Sequence, residues 1–501
     1  MLTLALCLST FVQPPRSYPL PVLTQPLRHL VPRATATDAV LPDAPAVDAD
    51  KEASGTSEGS ASRQIVAFAL PVLGACLAEP LLSMVDTVCV GRMANAASAS
   101  LAALGVNSAV FNVIATSTTF LCTASTAVIG QGAGSDNDGV AARTLVDGMA
   151  LALALGVLIG SGVCLASGVL LARVYHLLPG SEVHALAAGY LRVRALSTPA
   201  ALATLVSAGV AFGMGDSLTP LVAVAAAMVT NVCGDLLLIP RFGLAGAAVA
   251  TAAAAWVGAI SLVSRLSARL RPTWRLPSAS ELRPFVQTSA ALLSGATLCS
   301  LAYAATTSVV TAGGSLVEGA AHQVALQGWW LLSFASVPLS LAGQSLLPPL
   351  ARARGEADGA AASRPRAWRF CRALLGLGAT LTAPLAAANY LLCTRWSMAV
   401  VADAAVAETL RSIALPATIA QAAMNVATSL DGAYIGCGRL GHYVGVIGAA
   451  TLSLAAVSLR SVSMGRAGLA SAWLALAAFS CVRAGAHLWK LGELRESFVG
   501  G

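Results

Sequence analysis

The chain has 501 residues, 56% of them hydrophobic and 11% charged, with a formal net charge of +7 and a mean hydropathy of +0.75. Soluble proteins carry about 25% charged residues, so these values exclude an ordinary soluble domain. Long charge-free stretches rich in Ala, Leu, Val and Gly, without sustained polar–apolar alternation, fit membrane-spanning helices rather than a membrane barrel.

Residues 1–62 differ from the rest. The first acid is Asp38, after Arg16, Arg28 and Arg33, with scattered Ser, Thr and Pro. An acid-poor, Arg-bearing leader has the composition of an organellar transit peptide, and we read it as plastidial. The opening LTLALCL also fits a short secretory apolar region, and residues 34–62 read as a flexible linker.

From residue 63 onward the hydropathy pattern predicts twelve spans: 64–91, 98–129, 142–172, 184–212, 217–240, 244–265, 284–312, 318–348, 368–393, 405–435, 440–460 and 466–489. Arg466 and Arg483 leave only short clean runs in the last two. The basic residues are nearly all arginine, with Lys51 and Lys490 the only lysines. They crowd the loop at Arg265, Arg269, Arg271, Arg275 and Arg283, and the loop from Arg352 to Arg372. Two spans separate these loops, so they share a face, which the positive-inside rule makes cytoplasmic or its organellar equivalent. Topology therefore accounts for the basic balance, and no nucleic-acid partner is expected.

In the first span Glu79 and Asp86 are the only charges between Arg63 and Arg92. Seven residues apart, they share a helix face, with Asp86 nearer a membrane surface and Glu79 nearer the centre. Pro71 can bend the same helix. In the fifth span Asn231 and Asp235, four apart, also share a face. Charge inside a bilayer costs about 2.5–3.5 kcal/mol on insertion scales, so these acids call for a compensating role. They could load and release a proton, hold Na⁺ with Asn231 as a neutral oxygen ligand, or anchor packing.

GMGD at 213–216 matches the GxGD signature of intramembrane aspartyl proteases, but the chain has neither YD nor PAL, and we read it as a turn between helices. No P-loop is present. The eleven cysteines form no CxxC pair and the histidines no HxxxH, so no zinc or disulfide framework is expected. In the second half Asp431 is the main intramembrane acid, open to packing, capping or transport roles. Gln323, Gln327, Gln344, Gln421 and Asn425 could line a cleft or bridge helices. Trp329 and Trp330 read as lipid- or interface-facing.

The halves echo each other. Gly209, Gly213 and Gly215 recur 223 residues later as Gly432, Gly436 and Gly438. Gly243 and Gly246 recur as Gly465 and Gly468, and AALGV at 102 recurs loosely as AAHQV at 320. A repeat of six spans returns the chain to its starting face, so the two halves should be parallel lobes related by an axis along the membrane normal, a transporter architecture. The expected division is 1–62 leader and linker, 63–270 N-lobe, 271–283 basic inter-lobe loop, 284–490 C-lobe and 491–501 tail.

PVLGACLAEPLLSMVDTVCVGR (71–92) followed by ASLAALGVNSAVFN (99–112) resembles the first two helices of MATE multidrug and toxic compound extrusion transporters, most of all their DinF-type branch. NVCGD (231–235), GLAGAAVAT (243–251), GAAHQVALQ (319–327) and LDGAYIGCG (430–438) resemble further family segments. The resemblance covers roughly residues 63–490, and the extension before it is similar to that of plastid-targeted plant and algal members. It implies an all-α, twelve-helix, two-lobe antiporter that exports small organic, often cationic, compounds against inward H⁺ or Na⁺. It carries the cation-binding positions onto Asp86, Asn231 and Asp235, the first-helix bend onto Pro71, and a site threonine onto Thr251.

The resulting expectation is a non-enzymatic, cofactor-free secondary antiporter, monomeric, with a small organic substrate and lipid as partners, in a plastid membrane or else the plasma membrane or endomembranes. Secondary site candidates are Glu79, Thr251, Asp431, Gln323, Gln327 and Asn425. The alternatives are a lipid or precursor flippase of the same broad superfamily and, further off, a membrane-embedded enzyme or a passive channel.

Overall fold

The computed structural model describes residues 58–91, 97–132, 137–175, 177–313, 315–352, 357–400, 403–465 and 468–499. The leader reading falls on residues outside this set. The first lobe comprises α1 (Glu58–Gly91), α2 (Ala97–Thr118), α3 (Phe120–Gly132), α4 (Asn137–Arg173), α5 (Glu182–Ala195), α6 (Thr198–Gly213), α7 (Leu218–Phe242) and α8 (Leu244–Leu270). The second comprises α9 (Ala279–Gly313), α10 (Leu316–Ser333), a 3-10 turn (Phe334–Ser336), α11 (Val337–Arg352), α12 (Ala357–Cys393), α13 (Ser397–Val400), α14 (Ala404–Ser412), α15 (Ala414–Gly436), α16 (Leu440–Ser463) and α17 (Leu469–Trp489), followed by α18 (Leu491–Val499).

Among the described residues, ten helices are long and apolar enough to cross a membrane, twelve when each of two bent pairs is taken as one span. The bent pairs are α5 with α6, at 47°, and α14 with α15, at 58°. They occupy matching places in the two lobes. Pro199 and Pro416 stand in the first turns of α6 and α15, where a missing N–H costs least and a new helix direction can begin.

The duplication is visible atom by atom. At the end of α6, Gly215 N donates to Phe212 O (2.8 Å) and Asp216 N to Ala211 O (2.9 Å). At the end of α15, Gly438 N donates to Ile435 O (2.9 Å) and Arg439 N to Tyr434 O (2.9 Å). Both glycines have a positive φ, +78° and +73°, the left-handed closure in which a Cβ is penalised. One turn back, an added Cβ would lie 2.3 Å from Cys122 O at Gly209 and 2.1 Å from Ser340 O at Gly432. Each glycine lets its helix press on the backbone of the lobe's second span.

GMGD is a turn, as read. Asp216 caps α7, its Oδ1 accepting from Leu218 N (3.1 Å) and Thr219 N (2.9 Å). Arg269, at the end of α8, lies 3.7 Å from its other oxygen, so the α6–α7 turn and the basic α8–α9 linker are on one side. Alternating helix direction puts the α15–α16 turn and α18 on that side too.

Four apolar clusters form the core. Near the basic side they cross between lobes: Ile65, Phe68, Val72 and Phe212 pack with Leu339, Leu374, Tyr434 and Leu494, and α3 and α6 residues pack with Phe285 and Ile435. Toward the other side one cluster belongs to the N-lobe alone and one to the C-lobe alone. The lobes are therefore sealed together on the basic side and separate away from it.

Two expectations need correction. Trp329 does not face lipid: it is 1% exposed and packs edge-on to Tyr303 at 5.7 Å. Trp330, half-buried, also packs on Tyr303, at 5.6 Å. Arg483 does not shorten the last span, because α17 runs intact through it and its guanidinium is buried against Asp431.

Candidate functional site

Helix α7 brings Asn231 and Asp235 to one face, and Asp86 of α1 lies beside both. Their exposures are 1%, 0% and 6%. Close approach of α7 and α8 supplies the fourth member: an added Cβ at Gly234 would lie 2.7 Å from Ala250 Cβ. That contact sets Thr251 against Asn231, whose Nδ2 donates to Thr251 Oγ1 at 3.3 Å. Thr251 donates onward to Ala247 O at 2.9 Å, which orients its lone pairs toward the amide.

The oxygens left over define the site. Both carboxylate oxygens of Asp235, Oδ1 of Asp86 and Oδ1 of Asn231 are buried without a hydrogen-bond donor. Buried polar atoms in folded proteins are overwhelmingly paired, and two carboxylates facing each other have no hydrogen between them unless one is supplied. The arrangement suits either a shared proton or a small hard cation, for which carboxylate, amide and hydroxyl oxygens are suitable ligands. Among the described residues no group of three or more His, Cys, Asp or Glu could hold a metal ion, so a multi-ligand transition-metal centre finds no support there.

Arg194 of α5 was overlooked in the sequence, where it reads as one more arginine ending an apolar run. Its guanidinium lies over the Phe111 ring at 4.6 Å and donates to Tyr190 Oη at 3.2 Å. Its charge acts on both Asp86 and Glu79. Glu79 is exposed and does not join the cluster. Pro71 is half-buried, and α1 continues unbroken from Glu58 to Gly91 through it.

The second-lobe candidates separate into two groups. Gln421 donates to Asn425 Oδ1 (3.0 Å) and to Ser333 Oγ (3.2 Å), and Ser336 Oγ donates to Asn425 Oδ1 (3.0 Å). This knot ties α15 to the α10–α11 break. Gln344 donates to Ser340 Oγ at 3.3 Å within α11. Gln344, Gln421 and Asn425 are all buried rather than facing an open cleft, and of these Gln421 and Asn425 bridge helices. Gln323 is half-buried and Gln327 exposed. Asp431, in the second group, is not a cap. It sits inside α15, 4% exposed, with Arg483 on one oxygen and His487 Nε2 donating to the other at 2.9 Å.

The MatE family model matches residues 71–237, a segment that ends just beyond Asp235. The chain is 29% identical to Protein DETOXIFICATION 44, chloroplastic, of Arabidopsis thaliana, over 87% of this chain and 83% of the relative. It is 30% identical to DNA damage-inducible protein F of Escherichia coli over 38% of this chain and 41% of that protein. The structure of the Vibrio cholerae MATE transporter VcmN in its bent form shares the fold with a TM-score of 0.74, at 18% identity, over 88% of this chain and 98% of that one. Over the matched segment, which carries Asp86, Asn231 and Asp235, and through relatives aligned across both lobes, this chain is similar to MATE-family transporters, and it shares the fold of their solved structures.

Proposed function

We propose that the protein is a secondary antiporter that exchanges H⁺ or Na⁺ for small organic, often cationic, compounds by alternating access. The observation that carries this reading is the pair of buried carboxylates, Asp86 and Asp235, of which Oδ1 of Asp86 and both oxygens of Asp235 have no donor. A proton or Na⁺ between them satisfies the site, and without it the acids offer negative charge to a cationic cargo. Ion and cargo therefore compete for the same oxygens. Lobes sealed on the basic side and separate on the other leave Asp86 and Asp235 toward the separated end, where an incoming cation would reach them. A ligand shifts a two-state equilibrium only through different affinity for the two states, and neutralising the facing carboxylates supplies that difference. Thr251 holds Asn231 so that its Oδ1 stays free for the ion. Pro71 lies on the same helix as Asp86, where a change in the bend would accompany loading.

No cofactor is assigned, and a plastid membrane is the location that the composition of the leader and the chloroplastic name of a relative support. The test is transport by the reconstituted full chain under an imposed pH or Na⁺ gradient, with a panel of cationic dyes and organic acids. Asp86→Asn is expected to abolish gradient-driven uptake of whichever probe the unmodified protein carries. Full-rate uptake by that variant overturns the coupling role.

A further inference from the structure

Asp431, His487 and His442 form a chain of hydrogen-bonding groups that the N-lobe site does not use. Asp431 Oδ1 accepts from His487 Nε2 at 2.9 Å, and His487 Nδ1 lies 3.2 Å from His442 Nε2. Tyr434 fixes both rings. It stacks on His487 at 4.9 Å and lies 4.3 Å from His442, centroid to centroid, while its hydroxyl donates to His487 O at 2.7 Å. His487 is 0% exposed. His442, at the start of α16, is half-buried at the basic side, so the chain of groups runs from that surface to a buried carboxylate.

We propose that Asp431, His487 and His442 are a second proton-binding site, in the C-lobe, loaded from the side that carries the basic loops. His487 Nε2 donates to an ionised Asp431, so the hydrogen between the two imidazoles belongs to His442 Nε2. A proton arriving at His442 Nδ1 lets that Nε2 proton pass to His487 Nδ1. The Nε2 proton of His487 then passes to Asp431 Oδ1. Both imidazoles end neutral with exchanged tautomers, Asp431 is neutral, and Arg483 has lost its counter-charge. One proton has entered and one positive charge has appeared, on a guanidinium whose Nε is buried without a partner.

The surroundings favour this role over an inert clamp. Around the Asp431–Arg483 pair stand Cys299 and Tyr303 of α9 and Tyr443 of α16. His442 faces Arg439, Lys490 and Glu493 at the surface, with Lys490 paired to Glu493. Cys371 of α12 and Cys437 lie beside Tyr434, and α11 meets α15 here through the uncharged Ser340. Asp431 is the acid that serves both the guanidinium and an imidazole, so adding one proton to the chain must redistribute its partners. Tyr434 also belongs to the apolar cluster that seals the lobes on the basic side, so loading acts where that seal is made.

The test needs no substrate. Loading is read as the carboxylic C=O band of a protonated Asp431 in infrared difference spectra of the full chain in lipid nanodiscs, taken after a pH jump from about pH 9 to about pH 4. A band is expected that is missing in Asp431→Asn and retained in Asp86→Asn. His442→Gln, which keeps the Asp431–Arg483 pair, should slow the appearance of the band about tenfold and serves where Asp431→Asn does not fold. A difference spectrum that Asp431→Asn leaves unchanged, or a rate that His442→Gln leaves unchanged, overturns the proposal.

Discussion

The two lobes share a backbone and differ in how they treat buried charge. In the N-lobe, Asp86 and Asp235 face each other, and Oδ1 of Asp86 and both oxygens of Asp235 have no donor. In the C-lobe, Asp431 is held by Arg483 and His487. The position 223 residues after Asp235 is Ser458, buried with a free hydroxyl, so the repeat did not keep the acid there. Duplication thus preserved the glycine contacts that shape a lobe and left its electrostatics free to diverge. An acid without partners is a place for a mobile cation, whereas an acid with two basic partners holds helices together and can hand a proton along them.

The largest expected effect comes from breaking the paired cluster. Removing one partner of a buried ion pair costs about 3–5 kcal/mol, so Arg483→Met should lower the melting temperature of the detergent-solubilised protein substantially. Replacing both partners, Asp431→Leu with Arg483→Met, should recover much of the loss, because no charge is then stranded. Asp86→Asn and Asp235→Asn should behave in the opposite way, keeping or raising the melting temperature while coupling is lost. Equal destabilisation in the two lobes would erase the distinction drawn between them.

Next in size is the shared scaffold. Ala at Gly432 or Gly209 would put a Cβ against Ser340 O or Cys122 O, at 2.1 and 2.3 Å. Overpacking of this kind costs about 1–3 kcal/mol, and the two substitutions should cost similar amounts if the lobes are built alike. A large difference, read from the same melting curves, would mean that the repeat is shared in sequence but not in mechanics.

What was legible in the sequence follows the same division. Apolar run lengths gave the spans, and glycine spacing gave the repeat, because both are local or periodic. Asn231 and Asp235 could be placed on one face from their spacing of four. The Asp431 cluster was not legible in this way, since its members come from α15, α16 and α17 and no spacing within one helix joins them. Arg483 looked like a flaw in a span. The available signal was that Arg483 and His487 also lie four apart in an apolar helix, so they share a face and require a common partner. Trp329 was misplaced because an aromatic pair in an apolar run suits either an interface or a core, and only Tyr303 and Phe479 across the bundle decide between them.

A smaller effect tests how the N-lobe site is held. Thr251→Val removes the hydroxyl that accepts from Asn231 Nδ2 and leaves that amide buried and unpaired, a loss of about 1–3 kcal/mol. The rotated amide could turn its nitrogen toward the carboxylates and donate to them, competing with the transported ion. The expected signature is a weaker apparent affinity for the coupling ion with the maximal transport rate largely retained. An unchanged ion dependence would show that Thr251 only packs.

The smallest effect is expected where the same pairing chemistry meets water. Arg275, in the linker between the lobes, and Glu281, in the first turn of α9, form a two-point ion pair at 2.6 and 2.7 Å, with side-chain exposures of 47% and 39%. By geometry alone it rivals the Asp431–Arg483 pair. Exposed pairs gain little because water solvates the separated charges almost as well and salt screens what remains. Arg275→Gln should therefore leave the melting temperature within measurement error at physiological salt, whereas Arg483→Met should not. A drop that disappears on adding salt would assign the linker pair a purely electrostatic contribution. A drop that persists would mean that the linker pair fixes the lobes through geometry, and that the contrast between pairs reflects position in the fold more than exposure to solvent.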